Sequence, residues 1–386
     1  MNRRGDELKE SNLNISFDGY YEVNNTIYMS SCSINGLLEL DSKSRITKRV
    51  RRFDNGSLLS QLLHHNVIEV GDEVVFIPHF SFFLHIYNRC TDEIRTVKIK
   101  KDEWTRFRCV DSVVINNKLW LITSYLENGI ISIDLGTYEV VYYDEFYSKL
   151  RVYLKDIEPI FWTRLSIKNH ILYGAFDDKG YIIKIDLETL TLDMIDMGSD
   201  RHFADIAVEK GVIYLTEYFS KHVFSYHINE EKQELILMNG HCEECEKTVY
   251  SNIIACDNFL ILIPEFGRDI WAIEHSNIKK IGELPVDFID NDDFRRGWKR
   301  FYNYEIKDFK LYLYPNKANM MIVIDLENFR IDGYKFLMNQ EWINDNYEKE
   351  YFFKYIEEAH QNGDFLVEND RVDLELWLKS LCNKEA

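Results

Sequence analysis

The chain is poor in proline and glycine, with 5 and 17 among 386 residues, which excludes collagen-like and low-complexity character. It lacks a long apolar run. The densest stretch, Val74 to Tyr87 (VVFIPHFSFFLHIY), is shorter than a bilayer span and carries Pro78, His79 and His85. Behind Arg3 and Arg4 the N-terminus has no apolar segment of the secretory kind, so a soluble chain with no membrane partner is expected. The cysteines are few, odd in number and scattered (Cys32, Cys90, Cys109, Cys242, Cys245, Cys256 and Cys382), which fits a reducing, cytoplasmic compartment better than a disulfide frame. Positive charge is in deficit: 46 Lys and Arg stand against 65 Asp and Glu, a net charge of −19. A polyanion repelled by that field, nucleic acid above all, is therefore not an expected partner.

What the chain has in abundance is aromatic residues, with 24 Phe, 24 Tyr and 7 Trp, and a repeat. Seven times an alternating apolar run leads through a polar turn into a second run, and a short loop leads into a third and a fourth. The second runs are IYMSSC, VVFIPHF, LWLITSY, ILYGAF, IYLTEY, LILIPEF and LYLYPNK. The residue closing each third run (Asp41, Asn88, Asp134, Asp186, His227, Glu274 and Asp325) recurs at intervals of 47, 46, 52, 41, 47 and 51. That period lies in the range of propeller blades, roughly 40–50 residues. The runs are short and rich in Ile, Val, Tyr and Phe, the chemistry of strands. The turns between first and second runs carry Asn24-Asn25, Gly71-Asp72, Asn116-Asn117, Lys168-Asn169, Lys210-Gly211, Asp257-Asn258 and Lys307-Asp308. Asn, Asp and Gly tolerate the positive φ of tight hairpins. The pattern predicts an all-β chain, a seven-bladed β-propeller over residues 18–337. A sandwich pair or a solenoid is the alternative.

The third-run endings Ile133-Asp134-Leu135, Ile185-Asp186-Leu187 and Ile324-Asp325-Leu326, with Thr137 and Thr189 following in the first two and Asn328 in the last, resemble the blades of bacterial YVTN-like and quinoprotein-like propellers. The resemblance covers about residues 18–337 and implies a fold, not an activity. The Trp-Asp pair of WD40 blades and the Gly-Gly pair of kelch blades are absent. Residues 1–17 form an N-terminal segment in which 11–17 (SNLNISF) could supply a ring-closing strand. Residues 338–386 leave the repeat. Tyr347, Tyr351 and Tyr355 at helical spacing, and Leu374, Trp377, Leu378 and Leu381 after Asp373, predict a helical extension packed on the propeller.

Long loops between blades are the expected seat of function, because a rigid ring holds their ends. Here they carry cations beside rings: Trp104, Arg106 and Arg108 before the third unit; Trp162 and Arg164 before the fourth; Arg201 before the fifth; Trp298 and Arg300 before the seventh. Such pairs bind a carboxylate or phosphate by forked hydrogen bonds while a ring stacks alongside. The same loops hold Asp102, Glu103, Asp287, Asp290, Asp292 and Asp293, so internal ion pairing is the competing reading. The expectation is a binding protein presenting an aromatic and cationic mouth to a small anionic molecule, a glycan, a peptide or a protein partner. The alternative is an enzyme, a lyase, isomerase or hydrolase acting on an acidic sugar or peptide. In that case Arg164, Arg201 and Arg300 clamp a carboxylate while His65, His202 or Tyr302 moves a proton.

Asn66, Asp111, Asp205, Asn252 and Asn303 recur near the starts of first strands. They either ring a divalent cation or hydrogen-bond neighbouring blades or a chain of channel waters. His241-Cys242-Glu243-Glu244-Cys245 is a single C-x-x-C without a second pair, weak support for zinc. No nucleotide, zincin or hydrolase motif appears, so neither metal nor cofactor is expected.

Overall fold

The computed structural model describes residues 17, 19–54, 58–60, 62–152, 165–176, 180–198, 200–218, 220, 222–236, 250–274, 277–288, 300–315 and 318–347. Among these residues twenty-eight strands form seven separate antiparallel sheets, each of four strands in chain order. The seven-bladed propeller read from the repeat is therefore the fold. First strands of neighbouring blades contact one another, as Ser166–Lys168 does Phe203–Glu209 and Phe203–Glu209 does Tyr250–Cys256, which puts them innermost. The fourth strands lie outermost and are the most exposed; Lys232–Ile236 has no buried residue.

Local chemistry sets each blade. Asn24, Asn25, Asn116, Asn117, Lys210 and Gly211 all have positive φ between 49° and 78°, so the innermost hairpins are the tight turns expected. In blades 4 and 7 the turn falls one residue later than the sequence pattern placed it. Asn169-His170 and Asp308-Phe309 occupy it, and Phe309 takes φ 56° with 69% of its surface exposed. At the third-to-fourth turn the aspartate ending the third strand folds back on the backbone. Asp134 Oδ1 accepts the amides of Gly136 and Thr137 at 2.9 Å, and Asp41, Asp186 and Asp325 do the same two and three residues on. These amide donors hold all four carboxyls below the usual aspartate range. The repeated aspartate is thus a turn cap.

Apolar faces of adjacent blades close on each other in a series of clusters. Between the last and first blades, Ile27, Met29, Leu38 and Leu40 meet Tyr314, Met321, Val323 and Phe336. Phe17, fully buried, wedges between the Tyr314 and Phe336 rings at 5.8 and 4.8 Å. Backbone bonds from Leu337 to Arg45 and from Thr47 to Leu337 tie the same seam. Among the described residues no strand is exchanged between the two sheets; residues 11–16 lie outside them. Past the last strand, Asn339 caps a short helix, Gln340–Trp342, that runs on as a π turn to Tyr347, with Ile343 buried against the seam. The rest of the helical extension lies outside the described residues.

Candidate functional site

Antiparallel pairing places the second-to-third-strand loops and the blade-to-blade connections at one face of the ring, the mouth. The five Asn and Asp positions near the starts of first strands sit at or beside bulges in the innermost strands. Three of their side chains join neighbouring blades, while Asn66 and Asn303 each accept the amide of the next residue in their own strand. Asp111 Oδ2 accepts the Leu165 amide of blade 4 at 2.9 Å; Asp205 Oδ2 accepts the Ile253 amide of blade 6 at 3.1 Å; Asn252 Nδ2 donates to the Phe301 carbonyl of blade 7 at 3.2 Å. Of the two readings, interblade bonding is the one these atoms make. Among the described residues no group of three or more His, Cys, Asp or Glu is arranged to hold a metal ion. The C-x-x-C lies outside them.

His65 is buried in the first strand of blade 2. Its Nδ1 faces the Pro78 carbonyl at 2.8 Å and must donate to it, so in the neutral ring Nε2 accepts from the Ser112 hydroxyl at 3.0 Å. Both nitrogens are engaged, Nδ1 within blade 2 and Nε2 across to blade 3. Beside it, His64 Nε2 meets His85 Nδ1 at 2.7 Å while His64 Nδ1 meets the Ser30 hydroxyl at 2.9 Å. Burial, then the neighbouring His85 and His65, holds His64 well below the ordinary imidazole range, and burial pushes His85 down to about 4. His202 lies half-buried just before the first strand of blade 5, its carbonyl accepting the Tyr218 amide. The side chain of Tyr302, and Trp162, Arg164 and Trp298, lie outside the described residues.

The remaining cations are anchored to different blades. Arg201 pairs with Glu217 at 2.9 Å under the Phe224 ring in blade 5. Arg300 donates to the Gly267 and Pro264 carbonyls at 2.8 and 3.2 Å, tying the start of blade 7 to a mouth loop of blade 6. Trp104 turns inward, 6% exposed, its ring parallel to Phe107 within the core of blades 2 and 3. Arg106 and Arg108 share one neighbourhood, the one pair of candidate cations among the described residues to do so. Arg106 lies over the Tyr125 ring at 4.5 Å with Glu127 3.9 Å away, and Arg108 stands 5.5 Å from the Phe80 ring.

Around those two arginines the structure gathers residues that the sequence reading passed over. The blade 2 mouth loop exposes Phe80 and Phe82 by 38% and 39%, and Lys100 sits 4.2 Å over the Phe82 ring. Backbone bonds lock these loops together: the Ile99 amide donates to Phe82, Cys109 to His79 and Ser124 to Arg108. Burial, then the Arg108 charge, drives the His79 pKa well below the usual imidazole value, so this ring is neutral beside the cations. The available signal was the tripeptide Phe80-Ser81-Phe82 in a loop, where a ring has no strand face to fill. The result is a strip of two exposed phenyl rings and three cations across blades 2 and 3.

No known protein-family profile and no curated protein matches the chain. Solved structures match in fold. A computationally designed protein, Ika8, is 11% identical with a TM-score of 0.51 over 85% of this chain and 88% of its own. A virginiamycin B lyase from Staphylococcus aureus, solved with quinupristin, is 9% identical with a TM-score of 0.52 over 80% of this chain and 95% of its own. An extracellular domain of a one-component system from B. thetaiotaomicron is 12% identical with a TM-score of 0.53 over 83% of this chain, which spans only 42% of that one. At such identities the likeness is one of fold: the chain is a seven-bladed β-propeller similar to those of bacterial proteins. Among the described residues no helix is long and apolar enough to cross a membrane.

Proposed function

We propose that the protein is a binding propeller whose mouth, at blades 2 and 3, takes an anionic ligand with an apolar face. The supporting observation is the strip just described: Phe80 and Phe82 stay exposed in a loop whose backbone is bonded to Leu62, Leu63 and Ile99, with Arg108 and Lys100 beside their rings. A ring that stays half in water beside a guanidinium can stack one face of a ligand while the cation takes its charge. Against a body of net charge −19, such a strip discriminates for small anions or short acidic segments and against polyanions. The catalytic alternative has less support. Its general-base candidate His65 has both nitrogens engaged, and Arg201 already faces Glu217. Among the described residues the buried Cys109 and Cys256 and the exposed Cys90 are thiols, which supports a reducing, cytoplasmic location.

The test is a thermal-shift and calorimetric screen of uronic acids, phosphosugars and acidic peptides against the wild-type chain and Phe80→Ala. A hit that weakens at least fivefold in Phe80→Ala is expected. The reading fails if none of these anions binds, or if the hit is indifferent to Phe80 and to Arg108→Ala alike.

A further inference from the structure

Buried polar groups nearly always find a hydrogen-bond partner, so a cluster of them that does not calls for a reason. One six-residue mouth loop of blade 3, residues 124–129, holds three such atoms: Ser124 Oγ, Glu127 Oε1 and Asn128 Oδ1 have no hydrogen-bond partner among the described residues. Ser124 and Asn128 are 0% exposed. A fourth such atom, His79 Nδ1, lies on the adjoining blade 2 loop, whose backbone is bonded to Cys109 as Ser124 is to Arg108. The four therefore sit on two loops that are bonded to the Arg106–Cys109 segment, next to Phe80 and the two arginines.

The loop has a fixed base and a clasped tip. At the base, Thr123 Oγ1 donates to the Gly129 carbonyl at 2.7 Å, and Gly129 sits at φ 59° against the Tyr143 carbonyl. The tip is held by Arg106, whose carbonyl accepts from Asn128 Nδ2 at 3.3 Å and whose guanidinium covers Tyr125 and faces Glu127. The guanidinium contacts to Tyr125 and Glu127 are thus ones that an anionic ligand would compete for, while the Arg106 carbonyl and the Asn128 amide bond to Tyr125 stay in place.

We propose that loop 124–129 is the hydrogen-bonding half of the mouth site and that its ligand is a sugar-sized hydroxylated anion, a sugar bearing one carboxylate or phosphate. This deepens the binding reading and rests on it. The atoms set the class. Asn128 Oδ1 and Glu127 Oε1 are acceptors and require ligand donors; Ser124 Oγ and His79 Nδ1 take either role. Hydroxyl groups meet all four, the Phe80 face takes the apolar side of a sugar ring, and Arg106 and Arg108 take the charge. On binding, Arg106 exchanges Glu127 for the ligand anion, and the buried oxygens gain the partners they lack.

The experiment titrates D-glucuronate, D-glucose 6-phosphate, D-glucose and benzoate into the wild-type chain, Ser124→Ala and Arg108→Ala. Glucuronate and glucose 6-phosphate separate carboxylate from phosphate; benzoate offers a ring and a charge without hydroxyls. A sugar anion is expected to bind more tightly than benzoate, and Ser124→Ala to weaken the sugar anion by roughly threefold to tenfold, the worth of one hydrogen bond, leaving benzoate unchanged. Amide exchange of residues 124–129 should respond to the sugar anion and not to benzoate. If benzoate binds as well as the sugar anions and Ser124→Ala changes neither, this inference is overturned while the anion site stands. If neither benzoate nor any sugar anion binds, both fall together.

Discussion

Asp205 offers a sharp test of how the ring is held. It is 1% exposed, and its Oδ2 accepts the amide of Ile253 at 3.1 Å, with Asn252 Nδ2 at 3.5 Å. Ile253 is itself fully buried, so in Asp205→Ala its amide has no water to turn to. An orphaned buried donor costs about 1–3 kcal/mol, and the charge-assisted bond lost with it places the total at about 2–4 kcal/mol. With an unfolding entropy of about 2.1 cal/mol/K per residue, a cooperative ring of this size should melt about 3–6 °C lower. Urea titration followed by far-ultraviolet circular dichroism, alongside calorimetry, measures both quantities. Asp205→Asn keeps an acceptor for the amide and should recover more than half of the loss. Asp186→Ala, which removes an exposed turn cap instead, should shift the melt by less than half as much. An Asp205→Ala chain as stable as wild type would refute the interblade latch.

Phe17→Ala empties a fully buried site between Tyr314 and Phe336 and should cost about 3–5 kcal/mol in a urea titration, because it opens the seam between first and last blades. Gly129→Ala should be as harmful or worse: a Cβ there would lie 2.0 Å from the Tyr143 carbonyl at φ 59°, and a sharp loss of melting temperature is the expected readout. The buried His64–His85 pair predicts an acid-sensitive seam. Both folded pKa values lie below the unfolded imidazole value, so the unfolded chain binds more protons on the acid side of 6.5; the stability is complete above that pH and is lost as pH falls toward about 4. His85→Phe should flatten the dependence of urea midpoint on pH in that window, and an unchanged slope would dismiss the pair as its source.

Individual residues show where the sequence was legible. Asp134, Asp186 and Asp325 could be read as a ruler and proved to be turn caps, since an aspartate two residues before a turn amide acts within its own hairpin. Asp111 and Asp205 were visible as a recurring position, but cation ligation and interblade bonding demand the same residue types, and only Leu165 and Ile253 opposite them decide between the two. Trp104 and Arg108 stand four residues apart in one loop. One ring went to the core and the other side chain to the mouth, which no local pattern distinguishes.

By itself, then, the amino-acid order determined the number of blades, their strand order and the hairpins that make them. Strand pairing inside a blade is a matter of alternating side chains and turn residues within some 45 positions. Tertiary structure alone decided which cations are spent on carboxylates, which rings remain in water, and which buried oxygens lack a partner. Those outcomes depend on side chains delivered from neighbouring blades, at separations where the chain carries no periodic signal of who will meet whom.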